Sequence, residues 1–392
     1  MFLFLKLLTR IIIDKKTRFL YAVVMINTYP RLDINLKAFR NNIRIIKNKY
    51  PDNKIILPVK ANAYGHGDVI IAKEAEKIGI EYLAVARLCE GLKLRSNGVK
   101  LPIMALGIES GDNIKTALQN DIELSVSDLD NLKSIDLAAR SINKKANIHL
   151  KLDTGMRRLG CSEKCLSEIS LFIRNSKYLN LRSFYTHLAR SDDSVEFTND
   201  QIKYFKNGLA ILNSANIAPD FCHIYNSGGI LGDFEKNNKW AIRPGISAYG
   251  YSPFDCEDNF GLIPIMTFVT RVIEIKKVPA NTGVSYNHTY ATSKDSLIAT
   301  IAAGYGDGIP RNLSNNLQVS VNNNIYNQIG TISMDLMVIE VDDSVKIGDE
   351  VVIFGNKNIA PNDAKSLAKQ IGTISYEITT GMNARVFRRA VE

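Results

Sequence analysis

The sequence predicts an α/β protein: an N-terminal (β/α)8, TIM-like barrel followed by a C-terminal, mainly-β domain. Three observations carry this expectation. From Arg31 to about Phe260, short apolar segments alternate with helical stretches, in about eight units, which is the size and rhythm of such a barrel. From about Leu262 the pattern changes to short alternating strands with turn residues between them. The chain has 392 residues and 45% hydrophobic content, enough for two domains with cores. A doubly wound open sheet shares the same alternation, and strand count alone does not exclude it. The expected division is an N-terminal extension over 1–24, a barrel over 25–262 and a β domain over 263–392.

The elements follow in order. "LDINLKAFRNNIRIIKNKY" has apolar residues at helical spacing. "KIILPV" is a short apolar strand. "GDVIIAKEAEKIGI" reads as a helix ending at Gly79. "YLAVA" is a strand, and "LCEGLKLRSNG" a helix closed by glycine. "LPIMAL", "IELSVS", "NIHLKLD", "LRSFYTHL", "FCHIYNSG" and "WAIRPGISAYG" supply the remaining strand ends. "SDLDNLKSIDLAARSINKK" and "NDQIKYFKNGLAILNSANI" are helical stretches between them. In the second domain, "IPIMTFVTRVIEIKKVPANTGVSY", "SLIATIAAGYGDG", "LQVSVNNNIYNQIGTISMDLMVIEVDD" and "GDEVVIFG" read as strands, with a helix at "NDAKSLAKQIG".

Composition narrows the function classes. The formal net charge is +9, and Met1 to Val24 holds five basic residues against Asp14, so +4 of it. The rest is spread without a basic block, which speaks against a nucleic-acid partner. Lys6 and Arg10 interrupt the N-terminal apolar run. That makes it too charged for a spanning helix, and no small-x-small cleavage site follows. It is expected to be either a weak amphipathic surface helix or an upstream start wrongly chosen over Met25, the second being preferred. Five cysteines at irregular spacing (Cys89, Cys161, Cys165, Cys222 and Cys256) suggest reduced thiols in the cytoplasm and no zinc site.

Chemistry in a (β/α)8 barrel sits at the C-terminal ends of the strands. Lys60 follows the first apolar strand. Lys151 and Asp153 end a middle one, and His187 another. Asn226, Ser227 and Gly228 end the seventh strand; Arg243, Pro244 and Gly245 end the eighth. Small residues with backbone N–H groups after strands seven and eight suit a phosphate. A lysine amine facing a phosphate cradle suggests a phosphorylated carbonyl held as a Schiff base, and pyridoxal 5′-phosphate fits that description. Burial among apolar neighbours would help keep the amine uncharged. Each residue alone has an ordinary structural explanation; their joint placement at one end of a barrel points to a site.

Several motifs carry a family likeness. "VKANAYGHG" resembles the cofactor-lysine motif of alanine racemases. "LKLDTGMRRLG", "THLARSDD", "NSGG", "AIRPGISAYG", "VSYNHTY", "GYGDGIPR", "GTISMDLMVIEV" and "YEITTGM" follow in the family's order, from about Tyr29 to Arg388. The resemblance implies that Lys60 bonds pyridoxal 5′-phosphate and serves one face of the substrate Cα. Tyr286 would serve the other face, from the neighbouring subunit of a homodimer, with His187 as its expected neighbour. Arg158 and the backbone N–H of Met334 would bind the substrate carboxylate. Tyr64, Ser227, Gly245, Ile246 and Tyr376 would hold the phosphate, with His187 and Asn226 also at the cofactor. Arg243 would face the pyridine nitrogen; arginine can only donate there, which leaves that nitrogen unprotonated and disfavours transamination. Lys151 matches a position often carbamylated, and Asp192 and Arg311 match the substrate entrance.

The implied function is interconversion of L- and D-alanine, supplying D-alanine for peptidoglycan, in the cytoplasm, with no nucleic-acid partner and no stable membrane insertion. Ser333 and Leu336 depart from the family's usual neighbours of Met334. Thr379, Thr380 and Arg157 are likewise unusual, and Arg157 stands where glycine is common. Racemisation of another amino acid such as serine, decarboxylation of a basic amino acid, and a non-catalytic cofactor-binding module are the competing functions. The missing cysteine-bearing substrate loop and Arg243 speak against the decarboxylase; Tyr286 on a β domain speaks against the module.

Overall fold

A computed structural model describes residues 29–392. The expectation for 1–24 lies outside these residues. The chain forms two compact units. One comprises 34–266 together with 363–381 and 390–392. The other comprises 29–33 together with 267–362 and 382–389. The chain passes between the units more than once.

The first unit is built on eight parallel strands in sequential order: β2 (Ile56–Pro58), β3 (Tyr82–Val85), β4 (Ile103–Ala105), β5 (Ile122–Val126), β6 (Ala146–Lys151), β7 (Leu179–Tyr185), β8 (Phe221–His223) and β9 (Trp240–Ala241). A parallel bridge between Ile55 and Ile242 joins the last strand to the first. Ile56 N donates to Ile242 O at 2.9 Å and Ile242 N to Lys54 O at 2.8 Å. The sheet therefore closes, and the open doubly wound alternative is excluded. Every expected barrel strand is found. They are short, buried and rich in branched residues, as strands covered on both faces must be. The helices that cover them bury one stripe. In the helix Leu36–Lys49, Leu36, Phe39, Ile43 and Ile46 face inward, and the Asn35 side chain caps it by accepting from Ala38 N at 2.7 Å.

Two corrections arise at the edges of the expected elements. The helix expected over "LDINLKAFRNN…" starts only at Leu36; Arg31–Asn35 is strand β1. Its neighbours on either side are β10 (Met266–Val278) and β18 (Phe387–Val391), a long-range pairing that local spacing does not announce. A second short helix, Ser375–Thr380, follows the expected one at Ala364–Ile371.

The second unit carries the remaining strands of that sheet: β13 (Ser296–Ile301), β14 (Gln318–Val321), β15 (Asn324–Ile329), β16 (Met337–Val341) and β17 (Glu350–Phe354). Their pairings are antiparallel, for example Ala299 opposite Ile339 and Val319 opposite Tyr326. A two-stranded ribbon, β11 (Gly283–Val284) with β12 (Tyr290–Ala291), frames the segment that carries Tyr286.

Candidate active site

Lys60 stands two residues past β2, and the backbone after it is unusual. Ala61, Asn62, Ala63 and Tyr64 all take left-handed conformations, with φ between 51° and 55°. The turn is left-handed and made of four non-glycine residues. Each such residue costs about 1–2 kcal/mol in isolation. Tertiary contacts hold the turn. Ala61 N donates to Glu90 Oε1 at 2.6 Å, Ala63 N to Val59 O at 2.8 Å, and Asp68 N to Asn62 Oδ1 at 3.1 Å. Strain of this kind clusters at functional sites, where it fixes a side chain that a relaxed loop would let wander.

The turn delivers Lys60 into a cavity of about 540 Å³ inside the barrel unit. Lys60, Tyr64, Lys151, Arg158, His187, Asn226, Ser227, Arg243, Gly245 and Tyr376 all line it. Ile246 does not; it is fully buried beside Gly245. Asp153 does not either, because its carboxylate turns back to accept from Gly155 N at 2.9 Å and Arg157 N at 3.1 Å. Arg157, the departure from glycine, has φ 55°, which is the conformation glycine adopts without cost. Asp192 is exposed on the loop that follows His187. Tyr185 and Thr380 also line the cavity, and sequence reasoning gave them no role. Tyr185 sits at a barrel strand end with inward parity, which was the available signal.

The electrostatics of the lining are one-sided. Among the described residues it contains Lys60, Lys151, Arg158 and Arg243 and no carboxylate. Burial lowers the Lys60 amine, and nearby Arg158 lowers it further, with Glu90 opposing. Burial, then Arg243 and Arg158, bring Lys151 down to about 8. His187 is pushed well below the ordinary histidine range by burial and by Arg243 and Lys151, so it is neutral. Burial lowers Arg243 to about 10, which still leaves it cationic at neutral pH.

Arg243 is held from below. Its Nη2 donates to Thr186 O at 2.7 Å and to Ile224 O at 3.0 Å, and Nη1 donates to His223 Nδ1. Elsewhere in the lining, Ser227 Oγ lies 3.0 Å from Ser247 Oγ and accepts from Ser247 N at 3.2 Å. A Cβ added at Gly245 would stand 2.9 Å from Tyr64 Oη and 3.6 Å from Ser227 Oγ. The missing side chain thus leaves a cradle ringed by hydroxyls. A cavity with four basic side chains, the Lys60 amine lowered among them, and this cradle fits a phosphorylated carbonyl compound. These are the residues pyridoxal 5′-phosphate would require.

Tyr286, Met334 and Arg311 belong to the second unit, each exposed there. Tyr286 is 66% exposed and Met334 52%. Ser285, Asn287 and His288 flank Tyr286 with φ of 59°, 60° and 45°. Thr331 ties the two segments together: its Oγ1 donates to Tyr286 O at 2.9 Å and its O accepts from Ser285 Oγ at 2.5 Å. Ser333, another of the departures, closes the Met334 turn by donating to Leu336 O at 2.7 Å.

Family profiles described as alanine racemase, N-terminal domain, and alanine racemase, C-terminal domain, match residues 34–253 and 265–390. The chain belongs to the alanine racemase family. An alanine racemase of Treponema denticola is 39% identical over 366 residues, covering 91% of this chain and 96% of the relative. The solved structure of an alanine racemase from Clostridium difficile 630 superposes with a TM-score of 0.88 at 35% identity, covering 93% of this chain and 96% of that one. The alanine racemase from Bacillus anthracis with bound L-Ala-P has a TM-score of 0.86 at 33% identity, covering 93% and 95%. Within this family fold, the cavity occupies the C-terminal face of the barrel.

Proposed function

We propose that this alanine racemase family member interconverts L- and D-alanine with pyridoxal 5′-phosphate, in the cytoplasm, and so supplies D-alanine for peptidoglycan. The observation that carries the proposal is the cationic, carboxylate-free cavity into which Lys60 is delivered beside Arg243 and Arg158. When bound, the cofactor supplies the electron sink that acidifies the substrate Cα–H. In this reading Lys60 holds the cofactor and moves a proton at Cα on one face. Burial and Arg158 lower its basicity, which favours the neutral amine that such a role needs. Arg158 binds the substrate carboxylate with the Met334 N–H. Tyr64, Ser227, Tyr376 and the backbone of Gly245 and Ile246 take the phosphate, with Asn226 beside them. Arg243 faces the ring nitrogen as an obligate donor.

Inversion needs a second proton-moving group on the opposite face. We assign it to Tyr286 of the partner subunit, with neutral His187 nearby. The exposure of Tyr286, Met334, Tyr305 (41%) and Leu336 (40%) on one unit supports a surface that another copy covers. Mixing Lys60→Ala with Tyr286→Phe protein is expected to restore up to about a quarter of wild-type activity per mixed dimer population, since statistical mixing leaves one intact site in half of the dimers. Absence of any rescue would show that each site draws both groups from one chain.

Lys151 is the proposed carbamylation site. Its folded-state value of about 8 lies below the ordinary lysine value, so the protonated form is disfavoured in the fold. Stability therefore rises as pH climbs from about 8 toward the unfolded value, and the neutral amine becomes available over the same window. That amine adds to the carbon of CO2 and releases one proton, turning a cation beside Arg243 and Arg158 into an anion. With labelled bicarbonate, a carbamate carbon signal should grow as pH passes through 8 and be missing from Lys151→Met. A signal independent of Lys151 would refute the assignment.

The deciding experiment is chiral analysis of L-alanine incubated with the cofactor-loaded protein, with L-serine and L-lysine alongside. D-Alanine as the dominant product supports the proposal. D-Serine or D-lysine as the faster product would move the substrate, and carbon dioxide release would move the reaction class.

A further inference from the structure

The interior of a (β/α)8 barrel is ordinarily filled by branched apolar side chains. Here four successive strands place polar side chains inside it: Glu123 on β5, His149 on β6, Ser183 on β7 and His223 on β8. Glu123 is 8% exposed and the other three are fully buried. They touch in sequence. His223 Nε2 is 2.9 Å from Ser183 Oγ. Ser183 Oγ is 2.7 Å from His149 Nδ1. His149 Nε2 is 2.9 Å from Glu123 Oε2. At the top, His223 Nδ1 receives its hydrogen bond from Arg243 Nη1. His149 and Ser183 are register partners, so the path follows the slant of the strands.

The ends of this path dictate every proton along it. Arginine only donates, so His223 Nδ1 must accept. Burial and Arg243 hold His223 neutral, so its proton is on Nε2 and goes to Ser183 Oγ. The Ser183 proton is then free to go only to His149 Nδ1. His149 therefore carries its proton on Nε2 and donates it to the Glu123 carboxylate, which only accepts. No other assignment satisfies all four contacts. A doubly protonated His149 would leave the Ser183 proton without an acceptor. Glu123 is clasped at its other oxygen by Asn147 Nδ2 at 2.9 Å, with Arg182 Nε 3.9 Å away. The cavity lining gives Arg243 no carboxylate; this chain gives it one at the far end of a one-way series of hydrogen bonds.

We propose that Glu123, through His149, Ser183 and His223, is the remote counter-charge and positioning partner of Arg243, and that it holds the guanidinium where it can only donate to the cofactor ring. The assignment of Arg243 to that ring rests on the proposed function. Stacking of His223 on Tyr185, with ring centroids 4.6 Å apart, fixes the imidazole plane in which the chain runs.

The test uses the full chain with 15N-labelled histidine, with and without pyridoxal 5′-phosphate. The chain has five histidines, so single substitutions assign the spectrum. Both His149 and His223 are expected as neutral Nε2–H tautomers. In Glu123→Gln the amide turns its oxygen to Asn147 and Arg182 and its NH2 to His149, which is expected to switch His149 to the Nδ1–H tautomer. In Ser183→Ala, which removes one oxygen and little volume, the two histidines are uncoupled. With alanine as substrate, both variants are expected to raise the share of turnovers that end in transamination about 10-fold while still binding the cofactor, which corresponds to a change of about 1.4 kcal/mol in the difference between the two barriers. An Nδ1–H or doubly protonated form at His149 or His223 in the parent protein would overturn the proposal. So would an unchanged transamination share with only the melting temperature lowered, since that is a packing role. Correct tautomers without D-alanine from the parent protein would strike the proposed function and leave the relay standing; wrong tautomers with D-alanine would do the reverse.

Discussion

Lys60→Ala is expected to abolish racemisation, lowering kcat by about 10⁴-fold or more, because one substitution removes both the cofactor attachment and one of two proton-moving groups. The effect should exceed that of any other lining residue. In the proposed function Arg158, Ser227 and Tyr376 each contribute one contact among several, whereas among the described residues the lining offers only one other amine, at Lys151. Lys151 is 5% exposed and hemmed by Arg243 and Arg158, and it does not follow the left-handed turn that aims Lys60. Two measurements check the result. Chiral chromatography should detect no D-alanine. Borohydride reduction followed by peptide mass analysis should find the cofactor on the Lys60 peptide of the parent protein and nowhere on the variant. Full racemisation by Lys60→Ala would remove the basis of the proposed function. Retained activity on addition of a small amine would support it, since the amine stands in for the lost side chain.

Gly65→Ala is expected to cause the largest loss of stability of any single methyl addition at the site. Gly65 ends the left-handed turn at φ 87°, where an L side chain is already strained. A Cβ there would lie 1.9 Å from Thr379 O and 2.8 Å from Thr379 C. Both are backbone atoms of the short helix Ser375–Thr380, so no side chain can swing aside. The variant must open the packing of the Lys60 turn on that helix, at a cost of roughly 3–5 kcal/mol when strain and overpacking are combined. Because Tyr376 and Thr380 line the cavity from the same helix, cofactor affinity should fall as well. Gly79→Ala is the internal comparison. Its φ of 76° is equally unfavourable, but no atom of the described residues lies within 4 Å of the added Cβ. It should cost only about 1 kcal/mol. Urea unfolding of both variants separates the two terms. Equal losses would mean that backbone conformation alone, and not the contact with Thr379, requires glycine at 65.

Much of this architecture is legible in the chain itself. The eight barrel strands are short apolar segments between amphipathic helices, and burial on both faces is what makes them uniformly apolar. The chemistry-bearing residues at strand ends, Lys60, Lys151, His187, Ser227 and Arg243, are visible because polar groups that close an apolar run stand out by position. All five line one cavity. The motifs that resemble the family extended this to Tyr64, Tyr376 and Arg158, which no periodicity would have selected.

Tertiary structure decided the rest, and in each case the deciding contact joins residues far apart in sequence. Closure of the barrel depends on Ile55 meeting Ile242, and nothing in either segment's pattern encodes the other. The left-handed turn after Lys60 would not survive on local preference, since Ala and Asn favour right-handed backbone; it persists because Glu90 and the Ser375–Thr380 helix hold it. Arg31–Asn35 has helical spacing, yet it is a strand because two sheet neighbours from the far end of the chain claim its hydrogen bonds. Glu123, His149 and Ser183 look like ordinary polar positions within strands. Only the inward slant of four adjacent strands brings them into line beneath Arg243, because side-chain direction in a closed barrel is set by register and not by the residues themselves.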